Sequence, residues 1–182
     1  MTIHTSDPFA TPEHERSPVR RFRGRLPASV TLWTAAGPDG QRAGLTVSST
    51  VVVDGDPARL LGVLDEESEL WAAIEASGRF AVSPLRGKDR QVAERFAGLM
   101  PAPGGPFTFG EWVDTPFGSV PAGLGAWAGC RLEGSHPVGW GLLVEGVIED
   151  VHIDEELTVT PLVHYRGRYH ELAGRSRHEQ PD

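Results

Sequence analysis

Three consecutive hydroxyl residues close the stretch Gly44-Leu45-Thr46-Val47-Ser48-Ser49-Thr50. Asp54-Gly55-Asp56-Pro57 follows, and then a mostly apolar run over 60–64. The order reads as a strand ending in hydroxyls, a short turning loop and a second strand. Hydroxyls and backbone N–H groups gathered at one strand end suit the oxygens of a phosphate. The same residues also read as a Thr/Ser-rich strand end that bonds to its own backbone.

Other constellations are absent from the sequence. Cys130 is the single cysteine, so an intrachain disulfide and a cysteine zinc site are both excluded. The seven histidines are scattered without a metal-ligand spacing. The sequence holds neither a Walker phosphate loop nor a Gly-x-Ser-x-Gly elbow. Gly123-Leu124-Gly125-Ala126-Trp127-Ala128-Gly129 misses the dinucleotide fingerprint by one residue at its last glycine. The residues therefore point to no protein nucleophile, no metal and no catalytic carboxylate pair.

The elements that must position the hydroxyls are mainly strands. β-branched and aromatic residues mark 29–35, and Gly37-Pro38-Asp39-Gly40 turns the chain back into 41–47 as a hairpin. Further strands are expected over 59–64, 80–83, 126–132 and 140–151. A closing hairpin is expected over 161–165 and 168–172, around Arg166-Gly167. Two helices are predicted. Ser68 caps the first, Leu70, Trp71 and Ile74 form its apolar stripe, and Gly78 ends it. The second covers 88–97 with Val92 and Phe96 on one face. The Pro/Gly-rich segment 98–125 carries Phe107, Phe109, Trp112 and Phe117, placed either to cover a flat ligand, to meet a neighbouring subunit or to anchor the loop in the core.

The chain has 182 residues, enough for one domain with a real core. With 17 basic against 25 acidic residues its net charge is −8, which argues against nucleic acid as a partner. No apolar run has the length of a membrane span and no secretory leader is evident, so a soluble cytoplasmic protein is expected. Residues 1–20 are expected as a flexible arm, 21–172 as the folded domain and 173–182 as a flexible tail.

Taken in order, seven segments resemble the flavin reductase-like family. Pro27-Ala28-Ser29-Val30-Thr31-Leu32-Trp33-Thr34 resembles its opening strand, and 44–50 with Asp56-Pro57 its Gly-x-Thr-x-Ser-Ser and downstream Pro. Residues 68–78 resemble its first helix. Gly78-Arg79-Phe80-Ala81-Val82-Ser83-Pro84-Leu85 resembles its Gly-x-Phe-x-Val-Asn-x-Leu, and 91–98 its Gln-x-x-x-x-Phe-x-Gly helix. Residues 121–130 resemble its strand ending near a cysteine, and 161–169 its closing Pro-Leu-x-x-x-x-Gly-x-Tyr.

The resemblance implies a mainly β protein: a six-stranded antiparallel split β-barrel of the FMN-binding type, with two or more peripheral helices. It implies a homodimer that reduces FMN or FAD with NADH or NADPH and passes the product to a partner monooxygenase. By position, Thr46, Val47, Ser48, Ser49 and Thr50 would hold the flavin phosphate or ribityl chain. Thr31 and Thr34 would edge the isoalloxazine, with Ser83 near the ring. Two departures stand out. Ser83 replaces the family's Asn, and Trp140 stands where many members place a nicotinamide-facing His, with His136 four residues earlier. Trp140 and His136 are thus the candidate nicotinamide or substrate pocket, in which Trp140 would either stack on a nicotinamide or on the flavin, or fill the space and exclude a nicotinamide. The alternatives are a flavoprotein that keeps FMN for another substrate, and a non-catalytic flavin or haem binder. Haem would need an axial ligand such as His136, His152 or His164.

Overall fold

In a computed structural model, residues 17–155 and 160–172 are described. The chain runs α1 (Pro18–Arg23), β1 (Ala28–Ser29), β2 (Thr31–Ala36), β3 (Arg42–Val47), β4 (Val51–Val53) and β5 (Arg59–Leu64). It continues with α2 (Glu69–Ser77), β6 (Arg79–Pro84), α3 (Arg90–Phe96), β7 (Trp112–Asp114) and β8 (Ser119–Pro121). The last elements are β9 (Ala126–Val138), β10 (Gly141–Ile153), β11 (Leu162–Tyr165) and β12 (Arg168–Glu171). Most of the expected arm (residues 1–16) and the tail (173–182) lie outside the described residues. The arm's end, from Ser17, is the cap and first turn of α1, with Pro18 at its start.

The main sheet is antiparallel, in the order β3-β2-β6-β9-β10-β5-β4. It holds seven strands, one more than the six expected, because the short β4 adds an edge to β5. The sheet curls until its ends face each other. A Cβ built on Gly62 of β5 would lie 2.5 Å from Trp33 Cζ2 of β2, although three strands separate the two in the sheet. Trp33 stacks on Phe80 at 4.9 Å between ring centroids, within a core that includes Leu60, Leu64 and Val144. Burying a side chain of Phe80's size contributes roughly 1.5–3 kcal/mol.

Helix α2 fits its sequence signals. Ser68 Oγ accepts from Trp71 N, Gly78 takes the left-handed C-terminal position, and Leu70, Trp71 and Ile74 join the barrel core. Helix α3 sends Phe96 into a second cluster with Leu32, Leu85, Leu124 and Leu162 on the outer side of β2. The small sheet β1-β11-β12 joins the barrel there. Val30 N donates to Leu162 O at 3.1 Å, Leu162 N to Leu85 O at 2.9 Å, and Leu85 N to Val30 O at 2.9 Å, a closed ring of three backbone bonds.

The 98–125 segment is anchored on its own chain. Phe107 and Trp112 pack edge-on against Phe96, and the Arg95 guanidinium lies 4.1 Å from the Phe109 ring centroid. Phe117 sits against Gly129, where any larger residue would collide with it. Of the three roles open in the sequence, core anchoring is the one these contacts display.

Candidate functional site

Strand alternation divides the expected site residues between two faces of one sheet. Thr31, Trp33 and Val47 point into the barrel, since Trp33 and Val47 belong to its core and Thr31 pairs with Val47. Leu32 pairs with Thr46 on one side and Ser83 on the other, and this row points outward. Thr34 lies two residues further along the outer face, beneath Gly118.

On the inner side, Thr31 Oγ1 donates to Val47 O at 2.8 Å and lies 2.7 Å from Thr50 Oγ1. Trp33 Nε1 reaches both hydroxyls, at 3.1 and 3.0 Å. Thr50 is thereby drawn back over the barrel end. Ser49 leaves the β3 end and takes the place of a strand partner for β5: its Oγ accepts from Val63 N at 2.9 Å and donates to Val63 O at 3.1 Å. Ser48 is half-buried between them. Thr31, Val47, Ser48, Ser49 and Thr50 thus come together where the two ends of the curled sheet meet.

On the outer side, Thr46 Oγ1 donates to Ala93 O of α3 at 2.8 Å, and Ser83 is buried. The Thr34 hydroxyl is buried without a hydrogen-bond partner among the described residues. Trp140 and His136 belong to a different element, the long β9–β10 hairpin. Gly139, with φ +58°, turns the tip, and Trp140 beside it is fully exposed. His136 pairs with Leu143, and Leu143 with Val63, the residue held by Ser49. The hairpin arm therefore lies two strands over from the hydroxyl end. The other two candidate haem ligands lie elsewhere: His152 stacks near Trp127, and His164 is in the small sheet.

Two residues outside the expected set hold this geometry. Trp33 bridges Thr31 and Thr50, and its place two residues after Thr31 was a legible signal. Arg86, just past β6, is buried; its Nε donates to Asp89 Oδ2 at 2.6 Å, its Nη2 to Asp89 Oδ1 at 3.0 Å, and its Nη1 to Gly123 O. That guanidinium ties the exit of Ser83's strand to the start of α3 and to the end of the 98–125 segment. A single arginine after a strand carries no such signal in sequence.

A model of the flavin reductase like domain matches residues 23–173. The chain is 32% identical over 149 residues to a flavin reductase (NADH) of Kitasatospora aureofaciens, covering 80% of this chain and 76% of that protein. It is also 32% identical over 155 residues to the reductase subunit HsaB of a flavin-dependent monooxygenase of Rhodococcus jostii (strain RHA1), covering 82% and 76%. Among solved structures, a nitrilotriacetate monooxygenase component B homolog from Mycobacterium thermoresistibile superposes with a TM-score of 0.77 at 29% identity, over 90% of this chain and 91% of that one.

Proposed function

The chain belongs to the flavin reductase-like family, and from that premise we propose that it is an NAD(P)H:flavin oxidoreductase that reduces FMN or FAD and supplies a partner monooxygenase. The observation that carries this reading at residue level is the junction of Thr31, Val47, Ser48, Ser49 and Thr50, with the Trp140 hairpin two strands away. A polyol chain both donates and accepts hydrogen bonds, and hydroxyls that do the same are its natural complement. Thr46, Thr34 and Ser83 would act from the outer face of the same strands.

When bound, a flavin supplies the hydride acceptor and the nicotinamide the hydride, so the protein needs no nucleophile of its own. The chain's part is to hold two rings in contact and exclude water. Trp140 offers a flat apolar face for a ring, and His136 a polar tip on the same arm. NADH is the donor favoured by the activity in the name of the Kitasatospora relative.

A homodimer completes the reading. The outer faces of β4, β5 and β10 carry Val51, Val53, Leu61, Val63 and Leu143, and the first two are about half exposed or more. An apolar stripe of this kind beside the hydroxyl end is the surface a second copy would cover.

The test is oxidation of NADH and NADPH followed at 340 nm with FMN or FAD added. Turnover that saturates in flavin supports the reading, and none above background overturns it. Trp140→Ala should raise KM for the nicotinamide several-fold at unchanged melting temperature, since the side chain makes no contact within its own chain that stability requires.

A further inference from the structure

A second cleft lies at the far end of the β2–β3 hairpin. Cross-strand pairing sets Ala36 beside Arg42, and strand alternation puts this pair on the outer face with Leu32 and Thr34. The β7–β8 hairpin contributes a pair of its own, Asp114 with Ser119. Between the two hairpins is a cavity of about 420 Å³, lined by both pairs together with Thr115 and Gly118. Small-molecule sites span about 300–1,000 Å³. Ala36 is five residues from Thr31, about 17 Å along β2, so this cleft is separate from the hydroxyl end.

The turn of the β7–β8 hairpin is fixed against the sheet. Gly118 lies so close to β2 that an added Cβ would be 2.6 Å from Thr34 O. Thr115 Oγ1 donates to Gly118 O at 2.7 Å and accepts from Phe117 N and Gly118 N, each at 3.2 Å. Phe117 is buried with Ala81 and Val120. Two opposite charges then line one cavity without meeting. Arg42 Cζ lies 5.1 Å from the Phe107 ring centroid, and its guanidinium makes no ion pair or hydrogen bond among the described residues. Asp114 Oδ1 accepts from the buried Ser119 Oγ at 2.6 Å. The second Asp114 oxygen has no partner among the described residues. A cation with all its N–H donors unused and a carboxylate with a free oxygen therefore share the cavity, each steadied by a different neighbour.

We propose that this cleft binds a small zwitterion of the amino acid class, with its carboxylate on Arg42 and its ammonium on Asp114. A guanidinium offers paired donors to a carboxylate, and a carboxylate oxygen accepts from an ammonium. The methylene body of the ligand crosses Ala36 and Gly118, which have no side chain large enough to obstruct it. A ligand with only an anionic end leaves Asp114 unanswered, and one with only a cationic end meets Arg42 as a like charge. Each charge-assisted end contributes about tenfold or more in affinity. Both ends weaken as ionic strength rises from about 20 to 200 mM. The proposal stands apart from the reductase reading and holds whether or not NADH is oxidised.

Isothermal titration of the full chain with glycine, β-alanine, γ-aminobutyrate, δ-aminovalerate and ε-aminocaproate tests it, since the series lengthens the span between the two charges step by step. Expected is a Kd below about 5 mM for the member whose length fits. Butyrate and n-butylamine, each with one charged end, should bind about tenfold more weakly or worse. Arg42→Gln and Asp114→Asn should each weaken the best member by a similar factor. Both side chains are exposed, and the Asn keeps an acceptor for Ser119, so melting temperatures of the variants confirm that the fold is unchanged. No member binding below about 5 mM overturns the proposal. Butyrate binding as tightly as the best zwitterion also overturns it, as does an affinity that neither substitution changes.

Discussion

Asp89→Asn tests the view that one buried ion pair holds three segments around the outer face of the site. The side chains of Arg86 and Asp89 are 7% and 12% exposed, so water screens neither. The substitution keeps size and one acceptor, which can still serve Arg86 N, held in the native protein at 3.0 Å. It removes the charge that balances the guanidinium and the paired bonds at 2.6 and 3.0 Å. Breaking a buried pair by removing one partner costs about 3–5 kcal/mol, and the surviving acceptor places this case near the lower end, about 3. For a domain of this size that is a fall in melting temperature of roughly 6–12 °C. Arg86→Met should cost a similar amount, because it strands the carboxylate and the Gly123 carbonyl. The double variant should cost clearly less than the two together, with a coupling of about 2 kcal/mol. Urea unfolding of the four proteins, followed by circular dichroism, supplies the cycle. An Asp89→Asn loss below about 0.5 kcal/mol, the range of an ordinary surface change, would refute the reasoning.

Three further outcomes are expected. Burial, with Glu149 adding to it, pushes the Cys130 thiol up to about 12, so an aromatic disulfide reagent at pH 8 should leave the native protein unmodified and react once urea unfolds it. Rapid native labelling would contradict that burial. Gly62→Val forces a side chain into the Trp33 ring and should cost about 1–3 kcal/mol with a shift in tryptophan emission; a variant of wild-type stability would mean that the rings do not meet across the barrel. His164 is held below its usual value of 6.5, first by burial and then by Arg23 and His170. The unfolded chain therefore takes up the proton first as pH falls, and the stabilisation present above about pH 6.5 is lost below it. Melting temperatures between about pH 8 and 5 should fall more steeply for the native protein than for His164→Gln. Parallel slopes would remove His164 from the account.

The hairpin of β2 and β3, the strands β5, β6 and β10, and the capped helix α2 follow from residue type, because each has its own local signal: alternation, Pro-Asp-Gly, Ser68 and Gly78. The lower half of β9 did not. Glu133-Gly134-Ser135-His136-Pro137 reads as a loop, yet it extends the strand because β10 pairs with it throughout, past two register shifts. β4 was hidden beside the hydroxyls and the following turn, being three residues long and stabilised only by β5. β7 and β8 lie within a Pro/Gly-rich stretch for the same reason. At the site, period-two alternation could have placed Thr31 and Thr46 on opposite faces of the β2–β3 hairpin. What residue types could not convey is where each hydroxyl hydrogen points, since that depends on carbonyls from β5 and α3, distant in the chain.

The ring of backbone bonds among Val30, Leu85 and Leu162 has a consequence for biosynthesis. Its members come from the beginning, middle and end of the domain, so no two of them complete it. A chain emerging from the ribosome can pair β2 with β3 and dock α2 early, since those partners are close in sequence. The seam between barrel and small sheet must wait until residue 162 has been made. Until then Leu32 and Leu85 face solvent, and the growing chain carries an apolar opening that the final few residues of the domain close.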